Sequence, residues 1–179
     1  MSRSTSSTRT ASIAGVVALV AGIVFIIAGI AVWVLVSTQL SAQKITVGED
    51  VGEAVPVLAW TEGRTVADPF TAYAQAEIID MHATAIAEGN TYAELGALVS
   101  AAEESGDQEL AEELQAQRTT VMNASFLRAS LFTSVVSYGV AAMAVVIGIL
   151  AVLGGLGMRQ LAAAVGTATP RTARETERD

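Results

Sequence analysis

The chain has 179 residues, a formal net charge of −8, 52% hydrophobic residues and only 16% charged residues. An ordinary soluble domain carries about 25% charged residues, so this composition, with a mean hydropathy of +0.50, is typical of a protein that resides in a membrane. The lack of cysteine excludes disulfides, a thiolate nucleophile, a zinc–cysteine site and a lipid-anchored cysteine. The pI of about 4.6 argues against a nucleic-acid partner.

The first predicted element is a membrane-spanning helix over residues 13–36, a run without a charged residue. As a helix it measures about 36 Å, sufficient to cross a hydrocarbon core of about 30 Å. A cleaved signal peptide is the alternative, but the apolar run is about twice the usual length and Leu40 occupies a cleavage-site position that requires a small residue. We therefore expect an uncleaved anchor. Residues 1–12, rich in Ser, Thr and Arg, are predicted to be disordered.

Residues 37–129 form the predicted central domain, with 15 acidic and four basic residues. Two β-prone runs, 44–47 and 64–66, flank a segment that glycine and proline interrupt, which predicts a short β-hairpin or an irregular loop. The sequence Asp68-Pro69 then predicts a helix start, because a carboxylate caps the first turn and proline fits its first position. This helix is expected to run to about residue 88 and to end at a glycine.

Two further helices are predicted in the central domain. Thr91 and Glu94 have capping-box spacing and predict the start of a second helix. Asp107 can cap a third helix. Because neither glycine nor proline occurs from Gln108 to Tyr138, this third helix is expected to run unbroken into the second membrane span.

The second span is predicted over residues 130–156, inside a run of uncharged residues between Arg128 and Arg159. Such long apolar runs cross lipid as helices, since a helix satisfies its own backbone hydrogen bonds. Residues 157–179 form the predicted tail, which Pro170 and its polar neighbours predict to be disordered at its end.

Charge at the span ends predicts the topology. Arg3, Arg9 and Arg159 flank the spans on the terminal sides, and basic residues favour the cytoplasm. Both termini are therefore expected in the cytoplasm and the acidic central domain outside it, although Arg128 opposes this orientation. The predicted fold class is an all-α membrane protein of the plasma membrane, multi-pass with two transmembrane helices and a mostly helical extracytoplasmic domain.

Small residues recur along one face of each span and form a predicted helix-packing stripe. Its members are Gly15, Gly22 and Gly29 in the first span and Ser137, Ala141, Ala144, Gly148, Ala151 and Gly155 in the second. Small residues let helix backbones approach closely in lipid, and a seven-residue repeat favours a left-handed crossing. The stripe fits an intramolecular hairpin, or self-association as a homo-oligomer, or packing on a partner membrane protein.

No residue set predicts catalysis, a metal site or a cofactor. His82 has no possible ligand three or four residues away on its helix, and a metal site needs at least three ligands. The acidic stretch 103–113 lacks the pattern of an EF-hand loop and is interpreted as a solvated helix surface. Ionisable residues are absent from the spans apart from Tyr138, which disfavours a transporter or a selective channel. We therefore expect a protein that is not an enzyme.

Three segments carry a resemblance to a known family. They are PFTAYAQAEIID at 69–80, TYAEL at 91–95 and VMNASFLRASLFTSVVSYGVAAM at 121–143, and KITV at 44–47 fits as well. The chain resembles a family of small actinobacterial two-span membrane proteins of unknown role. The resemblance implies two spans, an outer domain and no catalytic residues. Some members are labelled aromatic ring-opening dioxygenases, a chemistry that needs metal ligands beyond the single His82.

Two functions are compatible with these features. The favoured hypothesis is a non-enzymatic scaffold or accessory subunit of the cell envelope, which acts through helix packing and through its outer domain. The alternative is a sensor or carrier component that binds a lipid or small molecule, with a pocket built from the helix at 69–88 and the apolar segment 55–60. Trp60 itself is expected to be a core residue or a membrane-surface contact.

Overall fold

The computed structural model describes residues 3–167, with side chains described from residue 9 to residue 164. This part of the chain is all-helical. Its elements are α1 (Arg3–Ala42), α2 (Val51–Ala54), a 3₁₀ turn η1 (Pro56–Thr61), α3 (Pro69–Ile86), α4 (Tyr92–Ser105) and α5 (Gln108–Thr167).

The two longest helices carry the apolar runs. The portions Arg9–Ala42 and Gln108–Ala164 are long and apolar enough to cross a membrane, with best-window mean hydropathies of 3.0 and 2.5. Only 11% and 17% of the residues in those windows are buried inside the protein, so neither helix resembles the core helix of a soluble domain. The prediction of a helical protein with two long apolar helices is confirmed.

Both long helices extend beyond the predicted spans. Helix α1 begins at Arg3, whereas residues 3–12 were expected to be disordered, and α5 continues to Thr167. Once an apolar run has formed a helix, each added turn costs little, because the unfavourable nucleation step is already complete. Residues 168–179, including Pro170, lie outside the described residues, as do residues 1–2.

The chain divides into two compact units. The two-helix unit comprises residues 1–33 and 140–179, and the central unit comprises residues 34–139. In the two-helix unit, Gly15 lies against Gly155 and Gly22 against Gly148. Since the position along α5 falls as the position along α1 rises, the two helices pack antiparallel.

The central unit has one apolar core, formed by the end of α1, the segment 45–66, α3 and the first half of α5. Val51, Val66 and Tyr138 are almost completely buried in it. The Tyr138 hydroxyl donates to the Ala67 carbonyl oxygen at 2.8 Å, and Ser37 Oγ lies 2.9 Å from the same hydroxyl. This pair of hydrogen bonds satisfies the polar end of a buried aromatic residue and links three distant segments.

The two β-prone runs meet but do not form strands. A single antiparallel bridge joins Thr46 to Thr65, supported by Val47 N–H donating to Arg64 O at 2.9 Å and by Val66 N–H donating to Ile45 O at 2.9 Å. The intervening segment folds into α2 and η1 rather than a simple turn. The two runs therefore close an irregular loop, which the sequence analysis considered beside a hairpin.

The three predicted helix starts in the central unit are confirmed. Asp68 Oδ1 accepts from Phe70 N at 2.9 Å and Thr71 N at 3.0 Å, and Thr91 and Glu94 form a reciprocal capping box. Asp107 Oδ1 accepts from Leu110 N at 3.1 Å at the start of α5. These side chains satisfy backbone donors that have no partner inside the helix.

Candidate functional site

One candidate site is a groove within the central unit, with a volume of about 750 Å³. We call it the α1–α3–α5 groove. Its apolar walls are Leu35, Val36, Leu40, Ile45, Ile79, Leu127 and Leu131, and its polar side chains are Gln39, Gln43, Gln75, Ser130 and Ser134. Its volume lies within the roughly 300–1,000 Å³ that is typical of pockets for small ligands.

Helical spacing aligns the groove residues. Leu35 and Gln39 lie four residues apart on α1, with Gln43 one residue beyond the end of that helix, and Gln75 and Ile79 lie four apart on α3. Residues four apart lie above one another on the same face of a helix, so each helix presents a continuous stripe to the groove. The groove is therefore a product of three helix faces.

The groove contains one unpaired buried acceptor. The Gln75 Oε1 atom is inaccessible to solvent and has no hydrogen-bond partner among the described residues. Ser134 Oγ, by contrast, donates to the Ser130 carbonyl oxygen at 3.2 Å. A buried carbonyl oxygen without a donor is costly to the fold.

The groove is not where the sequence analysis expected a pocket. Residue 60 and its neighbours 55–59 do not line it, although α3 contributes Gln75 and Ile79 as expected. Trp60 is exposed; its ring centroid lies 6.0 Å from that of Phe70, and the Arg64 guanidinium lies 4.9 Å above it. The end of α1 takes the place expected for the segment 55–60, because Tyr138 on α5 is hydrogen-bonded both to Ser37 on α1 and to Ala67 just before α3.

A second cluster surrounds Arg128. Its guanidinium lies 2.9 Å from Asp80 Oδ1 and 3.5 Å from Glu77 Oε1, and it stacks 5.4 Å from the Phe132 ring centroid. The two acids lie on α3 and the arginine on α5, so the cluster joins these helices. We interpret it as a structural contact, since its charges pair within the protein.

His82 has a partner that the sequence analysis missed. Its Nε2 atom contacts Asp50 Oδ2, and Asp50 lies in the loop before α2. Asp50 precedes His82 by 32 positions, so the helical spacing along α3 does not indicate this contact. Among the residues that the structure describes, no group of three or more His, Cys, Asp or Glu side chains could hold a metal ion.

The structure places the glycines of the packing stripe at the contact between α1 and α5. A methyl group on Gly22 would lie 2.6 Å from the Gly148 carbonyl oxygen, and one on Gly29 would lie 2.6 Å from the Ala141 carbonyl oxygen. A methyl group on Gly155 would lie equally close to the Gly15 carbonyl oxygen. The remaining residues Ser137, Ala144 and Ala151 are half-buried.

Fold and site define a class: a helical protein with two helices that are long and apolar enough to cross a membrane, and with a groove in its central unit. Comparison with known proteins adds nothing to this class, because no family model, no curated protein and no solved structure matches the chain. The resemblance to small actinobacterial membrane proteins therefore stays a prediction.

Proposed function

We propose that the protein is a non-enzymatic membrane protein that binds one acyl chain of a membrane lipid in the α1–α3–α5 groove, as a sensor or carrier component. The observation that carries this proposal is the groove itself, a cavity of about 750 Å³ with seven apolar side chains in its walls. Apolar clefts with a few polar groups are typical of ligand sites, and burial of an acyl chain there is favourable.

The position of the groove along the helices favours a lipid over a water-soluble ligand. Leu35 and Val36 directly follow the apolar residues of α1 that we expect to cross the bilayer, and Ser134 lies shortly before the corresponding run of α5. The groove residues therefore adjoin both expected spans along the chain, which favours an acyl chain over a water-soluble ligand.

The polar side chains of the groove suit the polar atoms that lie next to the acyl chain of such a lipid. Gln39 on α1 and Gln43 just after α1 add amide groups to the groove. These amides can bind polar atoms near the acyl chain of a lipid while the chain packs against Leu127 and Leu131.

The contacts between α1 and α5 make the scaffold hypothesis the second choice. The glycines at 15, 22 and 29 are buried against α5 of the same chain. This use of the stripe favours the intramolecular hairpin over a homo-oligomer or a partner membrane protein packed on the same glycines. The proposed topology keeps both termini in the cytoplasm, and it is supported by Arg9 and Arg159, which line one cleft at one end of the two-helix unit.

A pair of matched variants tests the acyl-chain site. Ser134→Phe adds a ring inside the groove, whereas Thr133→Phe adds the same ring at an exposed neighbouring position that does not line it. Each protein is purified from lipid nanodiscs, and its retained phospholipid is counted by native mass spectrometry. We expect the wild type and Thr133→Phe to retain one lipid that Ser134→Phe loses. Equal retention by all three proteins would contradict the proposed function.

A further inference from the structure

The central unit carries an exposed cluster of apolar side chains that the groove does not use. Val57 is 77% exposed, Trp60 is 55% exposed and Phe70 is 56% exposed. We call these three residues the aromatic patch. Its rings are in contact, with the Trp60 and Phe70 centroids 6.0 Å apart, and Arg64 lies 4.9 Å from the Trp60 ring. An exposed patch of this kind marks an interaction surface, since water solvates it poorly.

Two contacts made by neighbours of the patch place the start of α3 beside residues 132–138 of α5. Tyr73, one turn along α3 from Phe70, packs its ring edge-on to Phe132 with centroids 5.8 Å apart. Ala67, three residues before Phe70, accepts a hydrogen bond from Tyr138 at 2.8 Å. The start of α3 therefore lies beside residues 132–138 of α5.

Those residues of α5 directly precede the part of its uncharged run that belongs to the two-helix unit, which begins at Val140. From Val140 to Arg159 a helix measures about 29 Å at about 1.5 Å per residue, which equals the thickness of a hydrocarbon core of about 30 Å. The run Ile13–Trp33 of α1 has nearly the same length. If these runs span the bilayer, the residues of α5 that the start of α3 contacts lie next to the bilayer surface along the chain.

The side chains of the patch are of the types found at membrane–water interfaces. Tryptophan is enriched at membrane–water interfaces, because its ring is apolar and its N–H is polar. The Arg64 guanidinium lies 3.8 Å from Asp68 Oδ2 in a partly exposed ion pair, and it can exchange this partner for a lipid phosphate while its stem covers apolar surface. The rest of the central unit is strongly acidic, so this patch is a distinct surface.

We propose that the aromatic patch of Val57, Trp60 and Phe70 is embedded in the interfacial layer of the leaflet next to the central unit, with Arg64 directed to the lipid phosphates. This contact holds the central unit against the bilayer surface. The proposal rests on the two membrane spans but not on occupancy of the α1–α3–α5 groove, so lipid retention in the groove and the embedding of the patch can fail separately.

The two tryptophans of the chain make the test direct. The variant Trp33→Phe leaves Trp60 as the sole tryptophan, and it is reconstituted into phosphatidylcholine–phosphatidylglycerol liposomes. Its fluorescence is quenched with lipids brominated near the headgroup, with lipids brominated near the chain end and with aqueous acrylamide. We expect the shallow bromines to quench most strongly and acrylamide to quench least.

A tryptophan elsewhere on the central unit gives the matched control. Tyr92 is 42% exposed on α4 and lies outside the patch, so Tyr92→Trp in a Trp33→Phe, Trp60→Phe background should respond to acrylamide and not to brominated lipid. Acrylamide quenching of Trp60 equal to that of the control would overturn the proposal. Protection of Trp60 from all three quenchers would overturn it as well, because a protein partner or a second copy would then cover the patch.

Discussion

At the scale of single residues, the two long helices meet through glycine. A methyl group on Gly22 would lie 2.6 Å from the Gly148 carbonyl oxygen, and one on Gly148 would lie 2.6 Å from the Gly22 carbonyl oxygen. Both distances are too short for a methyl group, so both positions require glycine. The seven-residue spacing of the glycines returns the same face of α1 to the contact after two turns. Van der Waals contact between close backbones, rather than hydrophobic burial, stabilises helix pairs in lipid, so these glycines contribute by having no side chain.

Two adjacent glycines on α5 allow a matched substitution. A methyl group on Gly155 would lie 2.6 Å from Gly15 O and 3.0 Å from Leu19 N, whereas nothing lies within 4 Å of one on Gly154. Alanine improves helix propensity equally at both positions, by up to about 1 kcal/mol. We therefore expect Gly155→Ala to lower the thermal midpoint in detergent by several degrees and Gly154→Ala to leave it unchanged or higher.

The readout for this pair is the loss of helical circular dichroism on heating. Only the contact with α1 differs between the two substitutions, so equal midpoints would show that α1 and α5 do not pack through this face.

Arg128 shows why the topology rule, which counts basic residues near the span ends, also depends on whether those residues are paired. Its charge opposes the predicted orientation, since it lies at the outer end of the second span. The structure pairs it with Glu77 and Asp80 on α3. An arginine that two carboxylates neutralise contributes less to orientation than a free one, which removes the main objection to the proposed topology.

At the scale of elements, the helix starts of the central unit were predictable because each depends on residues two or three positions apart. Asp68, Thr91 and Asp107 cap the helices that the sequence assigns to them. The end of α3 is also local: Glu88 and Gly89 adopt positive φ values of 52° and 82°, and Gly89 N–H donates to Thr84 O at 2.9 Å.

The capping box of α4 gives a pH-dependent prediction. Hydrogen bonds from the Thr91 hydroxyl and then from the Thr91 backbone N–H lower the pKa of the Glu94 carboxyl below its ordinary value of 4.5. A lowered pKa means that folding favours the ionised form. The stabilisation is therefore complete above pH 4.5 and is lost as the pH falls through the lowered pKa.

Hydrogen exchange in the first turn of α4 measures this effect. After correction for intrinsic rates, we expect protection in the wild type to decrease as the pH falls through the lowered pKa of Glu94, below its ordinary value of 4.5. Glu94→Gln, which cannot ionise, should show weaker protection that does not change over the same range. A wild-type profile as flat as that of the variant would contradict the role assigned to the carboxylate.

The groove could not be predicted, because long-range pairs build it. Ser37 and Tyr138 are 101 positions apart, and Ala67 and Tyr138 are 71 apart. No local spacing encodes such pairs, so the sequence indicated an apolar face on α3 but not which helices would cover it. The contact of His82 with Asp50 escaped prediction for the same reason.

At the scale of the whole molecule, the division into units refines the picture of two spans. The predicted second span begins at residue 130, yet the central unit extends to Gly139 and buries Leu131 and Tyr138 in its core. The remaining apolar runs, from Ile13 to Trp33 and from Val140 to Arg159, match each other and the bilayer thickness. Hydropathy alone could not separate the buried turns of α5 from those expected to face lipid, because both are apolar.

The account as a whole depends on the two-helix unit crossing the bilayer with the central unit outside the cell. The natural chain has no cysteine, so one introduced thiol reports one position. Glu104→Cys places it on exposed α4, and Gln160→Cys places it just beyond Arg159 on α5.

Labelling of intact cells with a membrane-impermeant maleimide is the decisive measurement. The account predicts that Glu104→Cys reacts in intact cells, whereas Gln160→Cys reacts only after the cells are lysed. Reaction of both thiols in intact cells, or of Gln160→Cys alone, would contradict it.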